Sequence, residues 1–148
     1  MKTKYILITS ILLVIFLVGC QQQQKIYEQP EKETLIISLE KAQEISGVKE
    51  KYEIYSTGKY IVTLANKNKQ ETKKENILSE ADLNYLKSLV SSKPFSTIPN
   101  YMEGSGENCP LIILKTSLNN NERILRAESC ANTPEAFNLV QSDIEKLK

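Results

Sequence analysis

The sequence predicts an α+β fold: a single small domain with an antiparallel sheet of about five strands, in the order β-ββ-α-ββ-α, and two helices on one face. Three observations predict it. Segments 34–41, 52–64 and 111–128 are rich in β-branched and aromatic residues, and the longer ones alternate apolar with polar side chains. Segments 79–90 and 133–147 space apolar residues as a helix does, each behind a capping residue. Two cysteines flank the last strand pair at positions that fit one hairpin register.

Thr34–Lys41, "TLIISLEK", predicts the first strand. From Ala42 to Lys51 a helical turn and a loop around Gly47 both stay open. A hairpin follows, with Tyr52 and Ile54 alternating on the way out, a turn at Ser56–Lys59 around Gly58, and Tyr60, Val62 and Leu64 alternating on return. Residues 66–76, "NKNKQETKKEN", have no apolar period and read as a solvated loop rather than a basic docking site. The first helix is capped by Ser79, with Asp82 at the capping-box position and Leu78 placed to staple onto Leu83. Leu83, Leu86, Leu89 and Val90 form its apolar stripe, Pro94 ends it, and Phe95 and Ile98 are expected to fold back onto the core.

In the last strand pair, a two-residue turn at Asn119-Asn120 sets Leu118 opposite Asn121. That register places Leu114 against Leu125, Ile112 against Ala127, and Cys109 against Cys130 at a non-hydrogen-bonded pair. A bridge closing this loop stabilises by about 3 kcal/mol in the chain-entropy model. The closing helix takes Thr133 as its cap and Pro134 in its first turn, with Phe137, Val140, Ile144 and Leu147 as its stripe.

The N-terminus gives an address. Two lysines precede 14 uncharged, mostly apolar residues, Tyr5–Val18, too few for the about 20 that span a bilayer as a helix. The run ends Leu17-Val18-Gly19-Cys20, which resembles the bacterial lipobox. The resemblance implies that residues 1–19 are a cleaved signal peptide and that Cys20 carries a diacylglycerol thioether. Its freed amine would often take a further acyl chain such as palmitate, and several chains hold firmly where one is marginal. Residues 20–33 are then a polar tether and 34–148 the domain. Gln21 is not the aspartate of the inner-membrane retention pattern, so a two-membrane source implies the outer membrane. The expected location is the extracytoplasmic side of a membrane, with the lipid on Cys20 as the membrane contact.

Cleavage after Gly19 shortens the 148-residue chain to 129, enough for one domain with a core. It also removes Lys2 and Lys4, so 19 basic side chains become 17 against 18 acidic ones. That balance argues against nucleic acid as a partner. The chain has no histidine, which excludes Ser-His-Asp and Cys-His catalysis and the usual zinc sites. No cofactor, metal or catalytic residue is expected.

From Ile37 to Leu147 the layout resembles small uncharacterised bacterial domains often found on lipoproteins. Ile37, Leu39, Lys41, Tyr52, Ile54, Gly58, Phe95, Ile98 and Pro134 stand at matching places. It is also similar to emfourin-type inhibitors of thermolysin-like metalloproteases, through Leu83, Phe95, Ile98, Pro99 and Pro134. "AQEISGVKE" replaces the Cys-Gly-x-Cys-Pro turn of the first family, and the glycine-rich N-terminal segment of the inhibitors is missing. Neither resemblance implies a functional residue here.

One loop invites a site. In "YMEGSGENCP", Tyr101–Pro110, Glu103 and Glu107 flank Gly104-Ser105-Gly106, an arrangement able to wrap a cation or present backbone amides, though with too few ligands for a calcium loop. A lead-in to the disulfide explains it more simply. The expected function is a non-enzymatic, lipid-anchored module that binds another protein. The alternatives are an envelope hydrolase or glycan-binding module using surface carboxylates, a metalloprotease-inhibitor-like protein, and a surface decoy. The cysteine arithmetic is open to test: a thiol-alkylating reagent under non-reducing conditions should leave Cys109 and Cys130 unmodified, and reaction at both would exclude the bridge.

Overall fold

Alternation along the chain becomes a seven-stranded sheet in the computed structural model, which describes residues 32–43, 47–106 and 109–148. In chain order the elements are β1 (Leu35–Gln43), β2 (Val48–Tyr55), β3 (Lys59–Ala65), β4 (Glu71–Ile77), α1 (Glu80–Val90), α2 (Lys93–Ser96), β5 (Tyr101–Met102), β6 (Leu111–Leu118), β7 (Asn121–Glu128) and α3 (Glu135–Glu145). The strands lie side by side as β4-β3-β2-β1-β6-β7-β5. Five neighbouring pairs are antiparallel, and β5 runs parallel to β7. The fold is α+β as the patterning predicts, but with seven strands in a mixed sheet instead of about five in an antiparallel one.

One face of the sheet makes the core. Leu39 of β1 stands between Tyr52 of β2 and Leu114 of β6, and Tyr52 in turn faces Val62 of β3. Leu114 and Ile112 face Leu125 and Ala127 of β7, in the register that the turn at Asn119-Asn120 dictates. Asn119 and Asn120 both have positive φ, +51° and +60°, as a type I′ turn requires. Onto this face pack Leu83, Leu86 and Val90 of α1, Phe95 and Ile98 of the following segment, and Phe137, Val140 and Ile144 of α3, all buried. Truncating such a side chain costs about 2–5 kcal/mol.

Cys109 and Cys130 form the disulfide just beyond the β6–β7 ladder, with Cα atoms 5.7 Å apart. The Ser129 N–H donates to the Pro110 carbonyl at 2.8 Å. Pro110 and Ser129 are therefore the hydrogen-bonding positions, and the cysteines next to them occupy the non-bonded kind.

Four expectations are corrected. Residues 71–77 are not loop but edge strand β4, in which all seven side chains are exposed. Backbone pairing with β3 holds it, so no apolar period announces it, and Lys73 and Lys74 suit an unprotected edge. Residues 42–43 and 48–50 extend β1 and β2 as paired strands, which removes the helical-turn option for that stretch. Pro94 does not end the first helix: α1 closes at Val90, and Pro94 stands in the first turn of the short α2, capped by Ser92. The N-cap of α3 is Pro134, not Thr133, whose hydroxyl instead donates to the Asn138 side chain.

The cap on α1 is as expected, with the Ser79 oxygen accepting the Asp82 N–H at 3.1 Å. The Asp82 carboxylate returns not to the Ser79 N–H but to its hydroxyl, at 2.6 Å. Phe95 and Ile98 do fold back, and Arg123 of β7 fixes them: its guanidinium donates to both of their carbonyls at 2.7 Å and lies 5.6 Å from the Phe95 ring.

The turn makes a clean test. Asn120→Gly should hold or raise the midpoint of urea unfolding, whereas Asn120→Val should lower stability by about 1–2 kcal/mol, because a β-branched side chain resists positive φ.

Candidate functional site

The loop after β5 was the sequence's strongest invitation, and the structure ties it back to the sheet through Glu128. One carboxylate oxygen accepts the Tyr101 hydroxyl at 2.7 Å, and the other accepts the Gly104 N–H at 2.9 Å. Gly104 is needed there for space. A Cβ at that position would meet the Glu128 carboxylate at 2.9 Å, its Cβ at 3.1 Å and the Ala131 nitrogen at 3.3 Å. Gly106 rests on the bridge, its carbonyl 3.3 Å from Cys109 Sγ, a contact with a sulfur that carries no proton.

Glu103 is exposed in this loop, and Glu107 lies outside the described residues. Cys20, the expected signal peptide at 1–19 and most of the expected tether at 20–33 also lie outside them. The described part of the loop therefore spends its amide and its carboxylate partner on its own closure. Hydrogen bonds from Tyr101 and the Gly104 amide hold the Glu128 carboxyl below its ordinary value, and the same bond raises the Tyr101 phenol.

A second polar cluster was invisible to sequence reading because its two ion pairs join residues 98 and 104 positions apart. On the helix-covered face, Lys148 donates to Glu50 at 2.6 Å and the Tyr52 hydroxyl donates to the other Glu50 oxygen at 3.2 Å. Beside them Lys41 and Gln141 donate to one oxygen of Glu145, at 2.9 and 2.7 Å. Lys74 of the edge strand reaches the Lys148 carbonyl at 2.9 Å. Burial works to raise the Glu50 carboxyl, but Lys148, the Tyr52 hydroxyl and Lys41 outweigh it and the net shift is downward. Burial first, and then Glu50, push the Tyr52 phenol above its usual range.

These groups converge, yet Lys41 meets Glu145 and Lys148 meets Glu50 as ion pairs, while Lys74 is spent on a carbonyl. The cluster pins the C-terminal end of α3 to β1, β2 and β4. The Glu50 carboxyl, lowered in this way, is not poised to donate a proton as a general acid.

A groove of about 350 Å³ between α1 and α3 is lined by Leu78, Asp82, Tyr85, Leu86, Asp143, Lys146 and Leu147. It contains two acidic side chains, but Asp82 belongs to the Ser79 cap and Asp143 pairs with Lys146. Among the described residues there is no group of three or more His, Cys, Asp or Glu side chains able to hold a metal ion. No helix there is long and apolar enough to cross a membrane.

What remains is the sheet face opposite the three described helices. Ile61, Ile113 and Ile124 are half-buried on it, at alternate positions to the core residues. Ser38 of β1, itself buried, pairs with Glu53 on one side and Lys115 on the other, and Glu40 pairs with Lys51 and Ile113. Arg126, opposite Ile113 and beside Tyr101, completes a surface of mixed charge around apolar centres. No protein-family model matches the chain, and no curated protein matches it significantly.

The Glu128 clasp has a definite pH response. Since its folded pKa lies below the ordinary carboxylate value of 4.5, its contribution is complete above that value and is lost as pH falls through the lowered one. The Gly104 amide-proton resonance should therefore hold steady from neutral pH down to the ordinary carboxylate range and shift only below it. In Glu128→Ala that step should vanish.

Proposed function

We propose that the chain is a lipid-anchored protein of the cell envelope whose domain serves as a non-enzymatic, protein-binding module. The observation that carries the binding role is the uncovered sheet face. Half-exposed Ile61, Ile113 and Ile124 alternate across the strands with Glu53, Lys115 and Arg126, and a surface that mixes apolar and charged side chains in this way has the overall composition of a non-obligate interface. The engagement of Glu50, Glu128 and Glu145 with lysine, tyrosine or amide donors favours binding over catalysis. The anchor rests on Leu17-Val18-Gly19-Cys20 at the end of a short apolar run. The tether then delivers the domain to the extracytoplasmic side, where a Cys109–Cys130 bridge persists.

A hydrolase or glycan-binding reading draws on the groove between α1 and α3, where Asp82 and Asp143 share one concavity. It requires both carboxylates to leave their present partners. The likeness to metalloprotease inhibitors rests on Leu83, Phe95, Ile98, Pro99 and Pro134, of which the first three are buried and have packing reasons of their own.

Two measurements test the proposal. Cys20→Ser should abolish incorporation of labelled palmitate and release the protein from the membrane fraction. A photo-crosslinking residue at position 113 of the lipidated protein should give one discrete protein adduct in intact cells, and the same residue at 85, at the groove between α1 and α3 on the helical side of the sheet, should give none. Equal adducts at both sites, or none at 113, would contradict a binding face on the sheet.

A further inference from the structure

Resting on the lipid-anchor reading, we propose that the end of the domain where the tether joins β1 is a membrane-contact surface, formed by Leu35, Tyr55, Lys59 and Ile77 and seated on phospholipid. These four residues make one cross-strand row. Leu35 pairs with Tyr55, Tyr55 and Lys59 flank the β2–β3 turn, and Lys59 pairs with Ile77. A β-bulge creates the row. The register shifts between Leu35 and Ile37, so Ile37 falls opposite the buried Ile54 while Leu35 falls opposite half-buried Tyr55, on the uncovered face.

Leu35 is 40% exposed and Ile77 is 72% exposed, the latter far more than the other large apolar side chains left at the surface. The Lys59 ammonium lies 5.7 Å above the Tyr55 ring. A tyrosine and a lysine stem between two bare aliphatic side chains suit the headgroup boundary, where aromatic rings sit and lysine heads reach water. The Ile77 N–H, which faces the free edge, is taken by the Asn76 side chain at 2.9 Å, so the row is no template for an added strand.

The tether supplies the reason for a membrane as the occupant. It enters at Lys32, three residues before Leu35, and the eleven residues between Cys20 and Lys32 reach at most about 40 Å. The Cys109–Cys130 bridge and the β3–β4 turn stand at the opposite end, about one strand length or 25 Å away. Charge contributes little: Lys59 lies 3.8 Å from both Glu33 and Glu75, and Lys32 adds a single cation. Contact should accordingly come from apolar insertion and be insensitive to anionic lipid.

The test uses the full lipidated protein in phosphatidylcholine vesicles, with or without phosphatidylglycerol. Spin labels are placed at Thr57→Cys, on the β2–β3 turn, and at Asn68→Cys, on the β3–β4 turn. Label 57 should lose collisional broadening by a water-soluble nickel chelate in both lipid mixtures, while label 68 keeps it. Adding Leu35→Gln and Ile77→Gln should restore broadening at 57 with acylation and thermal melting unchanged. Equal broadening of both labels on an acylated protein, or no effect of the double substitution, would overturn the contact surface and leave the anchor standing. Failure of Cys20 to take up an acyl chain would overturn both.

Discussion

Strand β1 is the constraint on which the rest of the structure depends. It is paired on both edges, to β2 and to β6, and Leu39 at its centre is wholly buried between Tyr52 and Leu114. Side chains in a strand alternate between faces, so a slip of one residue in either pairing would carry Leu39 and Ile37 out of the core. Both hairpins therefore inherit their facing from one strand, and the helices can cover only the side that β1 makes apolar. Where β1 itself slips, at the bulge after Leu35, the chain crosses from surface register to core register three residues after Lys32.

Around that sheet, polar side chains mostly serve to fasten elements together. Arg123 holds the Phe95 and Ile98 carbonyls, Glu128 holds Tyr101 and Gly104, and the Lys41–Glu145 and Lys148–Glu50 pairs hold the end of α3. The ion pairs are partly exposed, and such pairs contribute about 0–1 kcal/mol each. Their value lies in placing the helices, while the apolar face and the bridge provide the stability. Among the described residues, the sheet face opposite the helices is a broad surface that these fastenings leave uncovered.

How much of this was legible in the sequence follows from how each element is held. The β6–β7 hairpin was readable to the residue, because alternation, the Asn119-Asn120 turn and the two cysteines all demanded one register. The stripes of α1 and α3 were readable for the same kind of reason. β4 was not, since a strand exposed on both faces carries no periodicity, and its pairing is a matter of backbone alone. β5 has two residues and α2 one turn, too short for any period to show. The cap of α3 was misplaced by one residue because Thr133 has the right chemistry but spends its hydroxyl on Asn138. Among candidate site residues, the pairing of Cys109 with Cys130 was legible, whereas Glu50, Glu128 and Glu145 were not. Gly104, Lys148 and Lys41, which tie them to other elements, lie 24, 98 and 104 residues distant and are brought near only by the fold.

On the function proposed above, the domain meets a protein partner at the sheet face opposite the described helices. Single cysteines at Ile61, Ile113 and Ile124 can be probed with a membrane-impermeant maleimide, both on purified protein and on cells opened just enough to admit the reagent. The account predicts ready labelling of the purified protein and clear protection in the cells, with a control cysteine at Tyr85 labelled in both. Labelling of the three sheet positions at the same rate in cells as in the purified protein would contradict it.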